Sequence, residues 1–145
     1  MSRIKVSENF YLDEFIQPNI YKKFKAKSIW FLDIRLIRIA QLLRDITGRA
    51  VTINNWYTGG SYKDSGLRML SGGIGATYSQ HRYGRAIDVK VEGLTIPELL
   101  DVIVDNEQAF RNAGLTTIED IKYTPTWMHL DVRYSDNQDI LYVRP

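Results

Sequence analysis

The stretch SQHRYGRAIDVKV, residues 79–91, joins a histidine to a run of alternating apolar residues. From Ala86 onward the period is two: Ile87, Val89 and Val91 fall on one face, Ala86, Asp88 and Lys90 on the other. This predicts a strand with one face in the core and a carboxylate on the opposite face. His81 stands in the loop that enters the strand. Gly84 lets the backbone turn sharply between loop and strand, and Ala86 keeps bulk away from the aspartate's face.

The elements around this strand are mixed. Downstream, Thr95 and Glu98 form a capping box with Pro97 in the first turn, so a helix is expected to about Asn112, stopping near Gly114. Strands are expected at roughly 115–122 and 127–134, and ILYV (140–143) supplies a last short one. Upstream, Ile29, Leu32, Leu36, Ile39, Leu43 and Ile46 recur at spacings of three and four, which predicts a helix over 29–47 closed by Gly48. AVTINNWY (50–57) reads as a strand from its β-branched residues. LDEFI before Pro18 reads as a short helical turn with Asp13 as its N-cap, and the four lysines of YKKFKAK read as a solvated face. Helices and strands do not alternate regularly, so the class expected is α+β, in one domain spanning 1–145.

Between the first two expected strands lies a glycine-rich segment, residues 58–80, with Gly59, Gly60, Gly66, Gly72, Gly73 and Gly75 among serines and tyrosines. Loops of this length inside compact domains are often functional. It lacks a Gly-Lys-Ser/Thr element, which argues against a phosphate-cradling loop.

Composition removes several kinds of chemistry. The chain of 145 residues has no cysteine, so disulfides, thiolate metal sites and a cysteine nucleophile are excluded. Nineteen basic residues against 17 acidic ones leave a net charge of +2 and no basic stripe, which argues against nucleic acid. No stretch approaches the roughly 20 apolar residues of a membrane span, and MSRIKVSENFYLDEF lacks the apolar run of a signal peptide. The expectation is a monomer, cytoplasmic as synthesised.

Any histidine chemistry must use His81 and His129, because there are no others. His129 lies in WMHLDVR (127–133), where period two places Asp131 and Arg133 on its face. If the two strands pair, His81, Asp88 and His129 converge. Two imidazoles and one carboxylate are a known ligand class for catalytic zinc, leaving a fourth position for water. A histidine and an aspartate seven positions apart are, on their own, a weak signal, and a histidine at a strand edge is more often structural.

Ser79, His81, Gly84, Ala86 and Asp88, in the pattern S-x-H-x-x-G-x-A-x-D, followed by W-x-H at Trp127 to His129, resemble the M15 family of zinc peptidases. These are D-Ala-D-Ala carboxypeptidases and peptidoglycan endopeptidases, phage endolysins among them. SENFYLDEFI and the INNW…GG…SGLR block are similar to phage-type members. The resemblance implies an M15/Hedgehog-like fold, with an antiparallel sheet, helices packed on one side and a zinc site at the sheet edge. It implies His81, Asp88 and His129 as Zn2+ ligands, Arg68 as a stabiliser of charge on the substrate carbonyl, and Ser79 as a support for the loop or substrate. Tyr83 and Trp127 are the aromatic candidates for the substrate-binding wall.

The implied partner is a bacterial peptidoglycan peptide, reached after holin-type release or from a phage particle. Many members carry an acid three residues before the last histidine; here that position is Thr126, which cannot act as a general base near neutral pH. Asp131 becomes the candidate base, with the alternative that it only fixes His129. Glu119 and Asp120 follow if the preceding hairpin folds over the metal. Without a working base, the chain would be a non-catalytic cell-wall-binding or virion structural module.

Overall fold

Proline at the first helical position and extended flanks set the N-terminal elements. The computed structural model describes residues 2–69 and 75–145; Gly72 and Gly73 of the glycine-rich segment fall outside them. A 3-10 turn at Leu12–Phe15 precedes helix α1 (Pro18–Phe24), with Pro18 pre-set for helical φ. Asp13 does not cap that turn. It is buried and paired with Arg3 at 2.6 Å, while the Glu14 carboxylate accepts the Tyr11 N–H.

The apolar spacing expected to make one helix over 29–47 is divided between a 3-10 turn at Lys25–Phe31 and helix α2 (Arg35–Thr47). The break has a local cause. Leu32 is extended, the Asp33 N–H donates to the Gly84 carbonyl, and the Asp33 carboxylate accepts the Arg35 N–H at 3.0 Å. Gly48 closes α2 at a φ of +63°, as its sequence position predicted.

Strand β1 is only Val51–Thr52. The rest of AVTINNWY leaves the sheet because Asn54 is committed elsewhere: its buried amide donates to the Ile16 carbonyl and accepts the Ser65 N–H. Strand β2 (Ala86–Val91) alternates as predicted. The helix expected over 95–112 splits at Asn106 into α3 (Ile96–Asp105) and α4 (Glu107–Ala113), opened by the Thr95–Glu98 capping box. The side chain of Asn106 bonds back to the Val102 carbonyl at 2.8 Å and stops the first segment. Strands β3 (Thr117–Glu119), β4 (Met128–Asp131) and β5 (Leu141–Val143) complete the described elements, all shorter than the sequence suggests.

The sheet order is β1-β2-β4-β3-β5. It is mixed rather than wholly antiparallel, because β5 pairs with β3 in parallel. Register fixes the two faces. Ile87 opposes Leu130, Val89 opposes Met128, and Ile118 opposes Leu130. These residues join Leu36, Ile39, Leu43, Leu99, Ile103 and Phe110 in one buried cluster. Asp88 opposes His129 and Thr117 opposes Asp131, so the other face is polar.

Loop attachment depends on the N-terminal segment. Leu67 forms a parallel bridge with Ile16, and its N–H donates to the Phe15 carbonyl at 2.8 Å. Gly66 sits against that same carbonyl, where any Cβ would collide. Gly84 is constrained twice: its φ is +67°, and a Cβ would meet the Phe31 carbonyl oxygen. Gly84→Ala is therefore expected to destabilise the chain by about 2 kcal/mol or more, read from urea unfolding. A change below about 0.5 kcal/mol would contradict this packing.

Candidate metal centre

Strand pairing brings the three ligand candidates together. Asp88 on β2 and His129 on β4 are direct cross-strand partners. His81 comes from a 3-10 turn at Gln80–Tyr83, whose first N–H groups are capped by Ser79: its hydroxyl accepts the His81 N–H. One donor atom from each of His81, Asp88 and His129 lies within 4.8 Å of the others, an arrangement that could hold a metal ion. The group sits over β2 and β4, inner strands of the sheet, rather than at its edge.

The outer nitrogens decide which inner atoms are free. His81 Nδ1 is 3.0 Å from the Gly66 carbonyl, which can only accept, so that nitrogen carries the proton and Nε2 turns inward. His129 Nε2 is 2.8 Å from Asp131 Oδ2, so it donates and Nδ1 turns inward. His81 Nε2 and His129 Nδ1 both lie 3.1 Å from Asp88 Oδ1. Tetrahedral zinc with bonds of about 2.0–2.1 Å separates its ligand atoms by about 3.3 Å, close to the two spacings of 3.1 Å between the imidazoles and Asp88.

Around this core the carboxylates differ in access. Asp131 is fully buried and held from behind by Arg133, whose Nε and Nη2 donate to it at 2.9 and 2.6 Å. Both of its oxygens are thus committed to His129 and Arg133. Glu119, by contrast, lines the cleft, with Oε1 3.7 Å from the inner nitrogen of His129. Period two on β3 puts it on the polar face with Thr117. Asp120 turns away to accept the Lys122 N–H, and the Thr126 carbonyl receives Lys90. Arg68 Nη2 is 3.5 Å from Asp88 Oδ2, and its Nε donates to the Asp64 carbonyl.

The open cleft has a volume of about 690 Å³, bounded among others by Arg68, Ser79, Glu119, Trp127, Arg133 and Arg144. Trp127 and Ser79 are therefore at the cleft, as the sequence suggests. Tyr83 instead lines a neighbouring apolar pocket with Trp30, Phe31 and Met69, and Arg85 lies over its ring. Two contributors had no sequence signal. The Gly66 carbonyl is a backbone group, and Arg144 lies beyond the last strand. No protein-family model, curated protein or solved structure matches this chain.

Charge coupling in the cluster is strong. Burial works to raise the Asp88 carboxyl, but the His81 charge and hydrogen bonds from His129 and His81 outweigh it and hold the group well below the usual carboxylate range. Burial would lower His129, yet hydrogen bonds to Asp131 and Asp88 prevail and push it up to about 9. Asp131 is held low despite its burial by hydrogen bonds from His129 and Arg133. In the metal-free chain His129 therefore carries both protons and bridges two carboxylates.

A raised imidazole contributes stability in full below its unfolded value of 6.5 and loses it as pH climbs through about 9. The urea midpoint of the chelator-treated chain is expected to fall between pH 6.5 and 9. Over the same window metal affinity should rise, by up to about tenfold per pH unit, because a ligating Nδ1 must shed its proton. A flat affinity profile across that window would contradict the assignment. Asp131→Asn should weaken metal binding by about 10–100-fold, measured by competition with a chromogenic chelator.

Proposed function

We propose that the chain is a zinc-dependent peptidase acting on the peptide part of bacterial peptidoglycan, in the manner of M15 enzymes. The observation that carries this reading is the inward convergence of His81 Nε2, Asp88 and His129 Nδ1, with both outer nitrogens fixed, beneath an open cleft. Two imidazoles and a carboxylate suit zinc among the common divalent ions, and catalytic zinc sites take this ligand class. The motif that resembles M15 supplies all three ligands.

Zinc bound there supplies Lewis acidity towards a peptide carbonyl and lowers the pKa of water to near 7. The chain supplies the rest. Glu119 takes the general-base role: its carboxylate faces the cleft beside the inner nitrogen of His129, where it can accept a proton from water and return it to the leaving amine. Asp131 is assigned the positioning role instead, because both of its oxygens are engaged behind His129. It fixes the tautomer that points Nδ1 inward. Arg68, tethered by the Asp64 carbonyl, presents a guanidinium at the cleft wall where negative charge develops on the substrate carbonyl oxygen. Trp127 provides an apolar wall for the peptide.

Glu119 answers the difficulty raised by Thr126. The usual position for the acid is vacant, but a carboxylate from the adjacent strand reaches the same cleft. This favours an enzyme over a module that only binds cell wall.

The test is mass spectrometry of purified peptidoglycan digested with the zinc-loaded chain. New amine termini are expected, and they should vanish on chelation and on His81→Ala. Glu119→Gln should lower the rate by about 10²–10⁴-fold while zinc content stays at one per chain. Binding to cell wall with no new termini after prolonged digestion would overturn the peptidase reading.

A further inference from the structure

Lys22, Lys23, Lys25 and Lys27 lie on α1 and the 3-10 turn that follows it, and all four are exposed. Residues 15–32 contain these four lysines and no other charged side chain, so the segment carries +4 in a chain whose net charge is +2. None of the four has a carboxylate at ion-pair distance among the described residues. Lys25 has a φ of +52°, a conformation that glycine adopts at less cost. A solvated face accounts for the exposure of these charges, but not for what lies among them.

The apolar pocket beside the metal cleft is built from the same segment. Its wall includes Ile20, Phe24, Trp30, Phe31, Met69 and Tyr83, and its volume is about 560 Å³. The charged residues on that wall, Lys23, Arg68 and Arg82, are all basic. Trp30 is 73% exposed and Phe31 45%. Charge and ring are neighbours: Lys23 Nζ lies 5.2 Å from the Phe24 centroid and Lys27 Nζ 5.6 Å from that of Trp30. Phe24 and Phe31 meet edge to face at 5.0 Å, which fixes the shape of this surface. An exposed apolar patch rimmed by polar groups marks an interaction site, and here the rim has one sign.

We infer that this face docks on the surface of a bilayer containing anionic phospholipid. The lysines complement phosphate headgroups, and each one near such a surface strengthens binding about fivefold. Trp30 and Phe31 take the boundary between headgroups and acyl chains, the depth that aromatic rings favour. Lysine stems run along the apolar surface while their ammonium groups stay with the phosphates. A soluble polyanion matches the charges alone and offers no apolar phase to Trp30, Phe31 and Tyr83, so the bilayer is the better fit. No helix among the described residues is long and apolar enough to cross a membrane, so the contact is peripheral. The inference depends neither on the metal nor on the peptidase reading.

The experiment is flotation of the full chain, zinc-loaded and chelator-treated, with vesicles of phosphatidylcholine alone or with about 30% phosphatidylglycerol. Both forms of the chain should partition onto the anionic vesicles about tenfold or more better than onto the neutral ones, and less so as salt rises. Lys23→Gln with Lys27→Gln should weaken that partition about 25-fold, with an unchanged urea midpoint. Lys63→Gln with Lys122→Gln removes the same charge from exposed residues off the pocket wall and should change it less than about threefold.

Tryptophan emission supplies the second readout. Anionic vesicles with brominated acyl chains should quench the native chain, and Trp30→Phe should abolish most of that quenching. Trp30→Ala should weaken partition about tenfold, because binding scales with the apolar area buried. Binding that needs the lysines but leaves Trp30 unquenched and is indifferent to Trp30→Ala would identify a site for soluble polyanions and overturn the inference. Equal partition onto both vesicles, or none onto either, would overturn it as well.

Discussion

The pairing of Asp88 with His129 across β2 and β4 is the constraint on which the rest of the structure depends. Because side chains alternate with period two, this one register decides both faces of the sheet together. It sends Ile87, Val89, Met128 and Leu130 into the core, and it stacks Asp88, His129 and Asp131 on the opposite face. A slip by one residue would bury the ionisable groups among leucines and isoleucines and expose the apolar ones. The energy of the core therefore holds the site in place. The apolar residues of β2 and β4 position a carboxylate and an imidazole that would otherwise be costly to bring together.

His81 reaches this pair by a different route. Its loop is tied to the N-terminal segment through the Ile16–Leu67 bridge and to the Phe31–Leu32 backbone ahead of α2 through the close packing of Gly84. The Gly66 carbonyl then accepts the outer N–H of His81, and the His81 carbonyl accepts the Arg68 N–H. Loop, turn and N-terminal segment thus form one cross-braced unit, and Arg68 inherits its position from the same bonds that aim His81. Asp131 and Arg133 serve His129 in an equivalent way from the opposite side. Each imidazole has its own backing group, so the two inner nitrogens point at a common centre.

Much of this was legible in the sequence. The alternation at 86–91, the capping box at Thr95 and the closing glycine at 48 are local signals, and the structure has each of them. The convergence of the two histidines followed from period two and one assumed strand pair. What was not legible depends on partners distant in the chain. The long helix over 29–47 breaks because Asp33 bonds to Gly84, some fifty residues away, and AVTINNWY leaves the sheet because Asn54 is needed by Ile16 and Ser65. The parallel placement of β5 reveals itself only in the assembled sheet, and with it the approach of Arg144. The role of the carboxylates was ambiguous for the same reason. Asp131 and Glu119 both face the polar side, and only the orientation of the His129 ring separates the one behind it from the one in front.

The central claim is that inward-facing His81 Nε2, Asp88 and His129 Nδ1 together hold one zinc ion. Anomalous diffraction at the zinc edge, on crystals of the zinc-loaded chain, tests it most directly. A single strong peak is expected about 2.0–2.2 Å from those three atoms, with the Nε2 of His129 still bonded to Asp131. A peak bound through His129 Nε2, a peak elsewhere in the chain, or none at this cluster would contradict it.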